Sequence, residues 1–240
     1  MSEIDQSILN QYEVIKFQDN SVLYAHLQTN SELKSKIMDF FKEASHPQTA
    51  LCLLMTFYGS DKGSGWHNYT SFYTYIVEAL NINVSNLFEM GLGDVPSNMG
   101  PNGKPGASLR GWKDYFDNAH IYGADIDKRI LFSEDRITTY YTDQLNSTTL
   151  LDLANNTLKD INFNLIIDDG LHRHDANTNF LNNFHHKLAP RGLFIIEDIY
   201  NSPENTSNFL RTFSSYNGCL LKIENPRNKL DNTLGIIFKE

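Results

Sequence analysis

The chain has 240 residues, 40% of them hydrophobic and 20% charged, with a formal net charge of -9. That length fits one generous domain, or one domain with a helical appendage, and the composition is that of a globular protein with a sizeable core. The acidic balance disfavours a nucleic-acid backbone as partner, because proteins that bind one carry a basic face that displaces counterions.

Residues 1 to about 30 are polar with scattered aromatics and show no clear period. From Ser31, a candidate N-cap, Leu33, Ile37, Phe40 and Phe41 recur at helical spacing, and Pro47 opens a second apolar helix that runs to about Phe57. A glycine- and serine-rich break over 59–65 precedes a third helix over 69–80. These helices predict an N-terminal cap, residues 1–80, packed on the remainder, residues 81–240. From Asn86 onward short β-type runs alternate with helical stretches, the pattern of a doubly wound, Rossmann-like, mostly parallel α/β sheet. Strands are predicted over 87–90, 119–124, 137–141, 163–167 and 192–196, with helices over 107–117, 144–159 and 173–188. A helix over 204–213 leads to β-rich runs over 219–224 and 234–238. Turn formers at 225–228 separate these runs and predict an antiparallel pair at the sheet edge. The stretch 96–107, rich in Pro, Gly and Asn, follows the first strand of the sheet and is expected as a lid over its crevice.

Cys52 and Cys219 lie far apart in apolar surroundings and are expected as buried free thiols. No apolar run reaches the length of a membrane span, and the start lacks the pattern of a signal peptide, so a cytoplasmic protein is expected.

Chemistry concentrates where strands end. Leu165-Ile166-Ile167 runs into Asp168-Asp169-Gly170-Leu171-His172, and Phe194-Ile195-Ile196 runs into Glu197-Asp198. A short apolar run closing on two acids is how a buried parallel strand delivers carboxylates to the carboxyl edge of a sheet. Two such edges side by side crowd four carboxylates and an imidazole. That holds only if a cation sits among them or some carboxylates face other partners. Oxygen ligands favour a hard divalent ion, magnesium first. His172 and His174 with one acid would suit a redox iron site, but the second acid pair suits a hard ion better. On spacing alone, His172 is equally an ordinary surface histidine.

Glu89-Met90-Gly91-Leu92-Gly93-Asp94 closes the first strand of the sheet. Glycines there let the backbone approach a ligand and a carboxylate accepts from an ammonium or ribose hydroxyl; a tight turn is the alternative. A diphosphate cradle is disfavoured, because the third glycine of that fingerprint would fall at Pro96. Asp125 is placed to take ribose hydroxyls, or else caps the next turn. Asp143 and Gln144 are placed to read an adenine edge, with a plain N-cap as the alternative for Asp143.

Taken in order, Glu89-x-Gly91-x-Gly93, Ser108-Leu109-x-x-Trp112, Gly123-Ala124-Asp125-Ile126, Asp143-Gln144, Asp168-Asp169-Gly170-x-His172 and Ile196-Glu197-Asp198 resemble the class I S-adenosylmethionine-dependent methyltransferases. Within that class the set is similar to the metal-dependent O-methyltransferases that modify sugars of macrolides such as mycinamicin, over about residues 58–200. The resemblance implies S-adenosylmethionine and Mg2+ as cofactors. It implies Asp169, Glu197 and Asp198 as magnesium ligands and His172 as the base acting on a substrate hydroxyl. It further implies a cofactor site drawn from Ser60, Lys62, His67, Glu89, Gly91, Gly93, Ser108, Asp125, Asp143, Gln144 and Asp168. Leu171 stands where the family has Ser, and Ser60 where it has Thr. The expected function is magnesium-dependent O-methylation of a small polar acceptor, a sugar or nucleotide sugar in glycan or natural-product biosynthesis. Methylation of a phosphate or phosphoramidate oxygen in capsule biosynthesis, and a non-catalytic nucleotide-binding scaffold, are the alternatives; a homo-oligomer is left open.

Overall fold

In the computed structural model the described residues are 3–43, 46–63, 66–94 and 104–240. The chain opens with a short helix α1 (Gln6–Leu9) and a hairpin of β1 (Tyr12–Lys16) and β2 (Val22–His26), followed by α2 (Ser31–Phe40), α3 (Ala50–Tyr58) and α4 (Tyr69–Ala79). An alternating series follows: β3 (Asn86–Met90), α5 (Ala107–Tyr115), β4 (His120–Asp125), β5 (Ser133–Glu134), β6 (Ile137–Tyr141), α6 (Ser147–Asp152) and β7 (Phe163–Asp168). It continues through α7 (His174–Phe184), β8 (Leu188–Ile196), α8 (Pro203–Ser214), β9 (Cys219–Lys222) and β10 (Thr233–Phe238).

Among the described residues the strands form a ten-stranded sheet in the order β1-β2-β9-β10-β8-β7-β3-β4-β6-β5. Strands β8, β7, β3, β4 and β6 are mutually parallel. β10, β9, β2 and β1 extend one side antiparallel, and β5 closes the other. The chain order reverses between β3 and β7, where an open α/β sheet leaves a crevice beyond its carboxyl ends.

The central strands β3, β7 and β8 are apolar on both faces, which lets helices cover both. Leu87, Leu165, Ile167, Leu193 and Ile195 point to one core with Leu33, Met55, Tyr73 and Trp112. Their neighbours Phe88, Ile166, Phe194 and Ile196 point to the other, with Phe180, Phe184, Phe209 and Phe213. This two-residue alternation also sorts the acids that end the strands.

Several details depart from sequence expectation. Strand β5 is not among the expected strands, and β9 and β10 pair antiparallel but lie between β2 and β8, because the N-terminal hairpin rather than β9 forms that edge of the sheet. The first thirty residues, without a clear period, contain a hairpin whose β2 pairs with β9, so the sheet runs on into the expected helical cap. The cap of α2 is Asn30 rather than Ser31, its side chain accepting from the Leu33 amide at 3.0 Å. Helix α3 starts after Thr49, which caps the Cys52 amide, rather than at Pro47. The segment expected as a lid lies outside the described residues except for Lys104 to Ala107. Cys52 and Cys219 are free and buried. Among the described residues no helix is long and apolar enough to cross a membrane.

Candidate active site

The ladder continues past the strand ends and sets the site. The Asp169 amide donates to the Met90 carbonyl, and the Glu197 amide to the Asp168 carbonyl, both at 2.9 Å. The tips of β3, β7 and β8 are thereby locked side by side, with both acid pairs at one edge. Gly91 and Gly93 carry φ of 92° and 90°, and a Cβ on Gly91 would run into the Asp169 carbonyl oxygen. Only glycine lets the two loops touch there.

Alternation then divides the carboxylates. Asp168 follows the face of α7 and is fully buried. It accepts from Gln144 Nε2 at 2.7 and 2.9 Å and from Asn177 Nδ2 at 2.9 Å. Burial pushes its carboxyl up to about 6 despite those bonds. Glu89 and Glu197 follow the opposite face. Glu89 accepts from Ser108 Oγ at 2.5 Å and from Trp112 Nε1 at 2.6 Å, and burial raises its pKa. Glu197 accepts the Tyr73 hydroxyl on Oε1 at 2.6 Å and the Lys62 ammonium on Oε2 at 2.5 Å.

Lys62 is the unexpected centre of this arrangement. Its side chain is 1% exposed, its Nζ touches Asp169 Oδ2 as well as Glu197, and Glu89 Oε1 stands 3.6 Å away. Burial opposes its charge, but these carboxylates hold its pKa well above the ordinary lysine value. The crowding of acids read from the sequence is therefore relieved first by a cation that the chain itself supplies.

A second cluster faces outward. One ligand atom each from Asp169, His172 and Asp198 lie within 4.8 Å of one another. His172 Nε2 is 3.2 Å from Asp169 Oδ1 and 3.8 Å from Asp198 Oδ2. Asp198 is steadied from behind: the Tyr69 hydroxyl donates to Oδ1 at 2.8 Å, and His67 Nε2 lies 3.4 Å from the same atom. His172 and Asp198 both take left-handed backbone, with φ of 54° and 55°. That conformation breaks the strand alternation and swings Asp198 from the path Glu197 follows.

Electrostatics separates the roles further. Burial alone would raise Asp169, but the Lys62 ammonium and the His172 ring outweigh it and hold the carboxyl down at about 2. Burial and then the Asp169 charge push Asp198 up to about 6. Burial would lower His172, but its bond to Asp169 and the charges of Asp169 and Asp198 lift it to about 9. That height lasts only while no other cation shares those carboxylates.

Above the cluster opens a cavity of about 790 Å3, within the size range of small-molecule sites. Gly91, Gly93, Ser108, Asp125, Asp143 and Gln144 line it, with Ser60, Asp169, His172 and Asp198. Asp125 accepts the Leu92 and Asp127 amides, one on each oxygen, at 2.9 and 2.8 Å. Asp143 accepts the Leu145 amide at 2.9 Å. The Gln144 side chain is fully used, donating to Asp168 and accepting the Leu171 amide at 2.9 Å. It supports the Asp168–Leu171 turn at the edge of the cavity.

The structure thus brings together most of the expected cofactor residues, but Lys62, His67, Glu89 and Asp168 stand behind the cavity lining. Of the three expected magnesium ligands, Asp169 and Asp198 share the outer cluster. Glu197 does not, because its two oxygens are committed to Lys62 and Tyr73. The two carboxylates of that cluster suit a hard divalent ion, and the imidazole Nε2 stands beside them. Tyr69 and Tyr73, whose hydroxyls bond Asp198 and Glu197, both come from α4. Their four-residue spacing places both on one face of α4, a signal that they act together. Asn177 carried no comparable signal.

No family model matches the chain. It is 33% identical over 147 residues, 60% of its length, to the 8-demethyl-8-alpha-L-rhamnosyl tetracenomycin-C 2'-O-methyltransferase of Streptomyces olivaceus, covering 36% of that protein. It is 40% identical over 96 residues, 40% of its length, to the demethylmacrocin O-methyltransferase of Streptomyces fradiae, covering 23% of it. The chain thus spans 36% or less of the length of these curated relatives. The mycinamicin-pathway methyltransferase MycE, solved with Mg, SAH and mycinamycin VI, superposes with a TM-score of 0.53 at 25% identity, over 72% of this chain and 48% of that one. In sequence and in fold, the chain resembles the class I S-adenosylmethionine-dependent methyltransferases, and among them the sugar O-methyltransferases of macrolide and tetracenomycin pathways.

Proposed function

We propose that this chain is a magnesium-dependent O-methyltransferase that moves the methyl group of S-adenosylmethionine to a hydroxyl of a small polar acceptor, a sugar or nucleotide sugar. The observation that carries this reading is the meeting of Asp169, His172 and Asp198 at the floor of a cavity walled by Gly91, Gly93 and Asp125. The relatives that methylate sugar-bearing products, and the magnesium and SAH bound by MycE, support it.

In this reading Asp125 takes ribose hydroxyls, Gly91 and Gly93 let the backbone approach the cofactor, and Asp169 and Asp198 hold the ion. When bound, magnesium supplies the positive charge that makes an acceptor hydroxyl acidic enough to react. His172 takes the proton at Nε2 as the oxygen attacks the methyl carbon and the sulfonium leaves as a neutral thioether. Glu197, tied to Lys62 and Tyr73, stands behind Asp169 and shares the Lys62 ammonium with it. Incubation with S-adenosylmethionine and a panel of sugars and nucleotide sugars, scored by mass, should show gain of one methyl group that depends on Mg2+. Failure to bind S-adenosylmethionine or SAH by calorimetry would overturn the reading.

A further inference from the structure

The carboxylates at the sheet edge form two shells that meet at Asp169. Its Oδ1 looks outward to His172, while its Oδ2 looks inward to Lys62. The inner shell holds Asp169 Oδ2, Glu197 Oε2 and Glu89 Oε1 around one ammonium that is 1% exposed. Carboxylates crowded at a largely buried point repel one another unless a cation sits among them, and a set of oxygen donors is what a hard ion also seeks. Lys62 arises from the segment between α3 and α4, so its charge reaches the strand tips from outside the sheet. The neighbouring Gly59, Ser60 and Asp61 line the cavity, whereas Lys62 turns away from it.

We propose that Lys62 is a positioning residue whose ammonium acts as the resident cation of the inner shell, filling by covalent attachment a place a second divalent ion would otherwise take. This rests on the reading of the outer cluster as a metal site. Lys62 fixes Asp169 between the two shells and keeps the catalytic ion single, and it makes no contact with the cofactor. Removing the ammonium leaves a hole bounded by three carboxylate oxygens, with the volume of the lost butyl stem open to water.

The test uses the full chain with Mn2+ as the probe, counted by equilibrium dialysis and followed by electron paramagnetic resonance. Lys62→Ala should bind one more Mn2+ per chain than the unaltered protein, and SAH affinity should stay within about threefold. Lys62→Met, which fills the space, should bind no extra ion. It should melt earlier than the unaltered protein and recover when Glu197→Gln is added. A Lys62→Ala chain that folds only with Mn2+ present also supports the proposal. An unchanged ion count for Lys62→Ala would overturn it. So would a loss of SAH binding of more than about tenfold, which would put Lys62 on the cofactor instead. A Lys62→Met variant that Glu197→Gln does not rescue would overturn it as well. If the unaltered protein bound no Mn2+, the outer metal site would fail, while the difference between it and Lys62→Ala would still decide the role of Lys62.

Discussion

The hydroxyl of Tyr73 donates to Oε1 of Glu197 at 2.6 Å, joining a helix near the start of the chain to a strand tip 124 residues further on. Both side chains are 1% exposed. The bond is one of two that keep the Glu197 carboxylate out of the cavity. Tyr73→Phe should therefore leave a buried carboxylate oxygen short of a donor, at a cost of about 1–3 kcal/mol. In a thermal scan this reads as a drop of about 2–4 °C per kcal/mol. An unmoved midpoint would mean that solvent reaches Oε1 and the bond is incidental.

Gly91 tests the contact between loops. With φ at 92° and the Asp169 carbonyl in the path of any added Cβ, Gly91→Ala must push the β3 and β7 tips apart. The expected outcome is destabilisation of more than about 2 kcal/mol together with weaker SAH binding. Denaturant unfolding and calorimetry read the two effects, and a variant normal in both would refute the packing argument.

His172 separates chemistry from binding. Truncation to Ala should lower turnover by about 10²–10⁴, the span of a lost general base, while SAH binds as before. Chelation of magnesium should likewise abolish turnover and spare most of the SAH affinity, with full return on adding Mg2+. Near-normal methyl transfer by His172→Ala would remove the base from the mechanism.

The parallel strands and the acids that end β7 and β8 were readable from sequence, because an apolar run that stops on a carboxylate pair marks a buried strand reaching the carboxyl edge of its sheet. The run into Asp168-Asp169 and the run into Glu197-Asp198 do lie on adjacent parallel strands. Even the division of labour within each pair follows from alternation, since Asp168 shares a face with Ile166 whereas Glu197 shares one with Ile195. What could not be read is the register between the cap and the sheet. Nothing local to Ser60-Asp61-Lys62 says that the lysine meets an acid 135 residues away. The hairpin from Tyr12 to His26 escaped for a different reason. Its strands are short, β1 buries little, and polar residues fall on positions that the sheet edge leaves exposed.

The buried thiol of Cys219 gives a check on core order. Burial pushes it up to about 12, so almost none is thiolate near neutrality. Alkylation of the folded protein should leave Cys219 unlabelled until denaturant is added. Rapid labelling under native conditions would reveal opening of the β9 region.

The left-handed backbone at His172 and Asp198 constrains what this surface can evolve into. Aspartate, asparagine, histidine and glycine tolerate that conformation, whereas valine, isoleucine and threonine resist it. A saturation library at either position should thus recover folded members from a narrow alphabet, and most members of that alphabet carry metal-binding or hydrogen-bonding side chains. Selection for stability alone would keep these two corners chemically competent, leaving new specificities to arise from the surrounding loops.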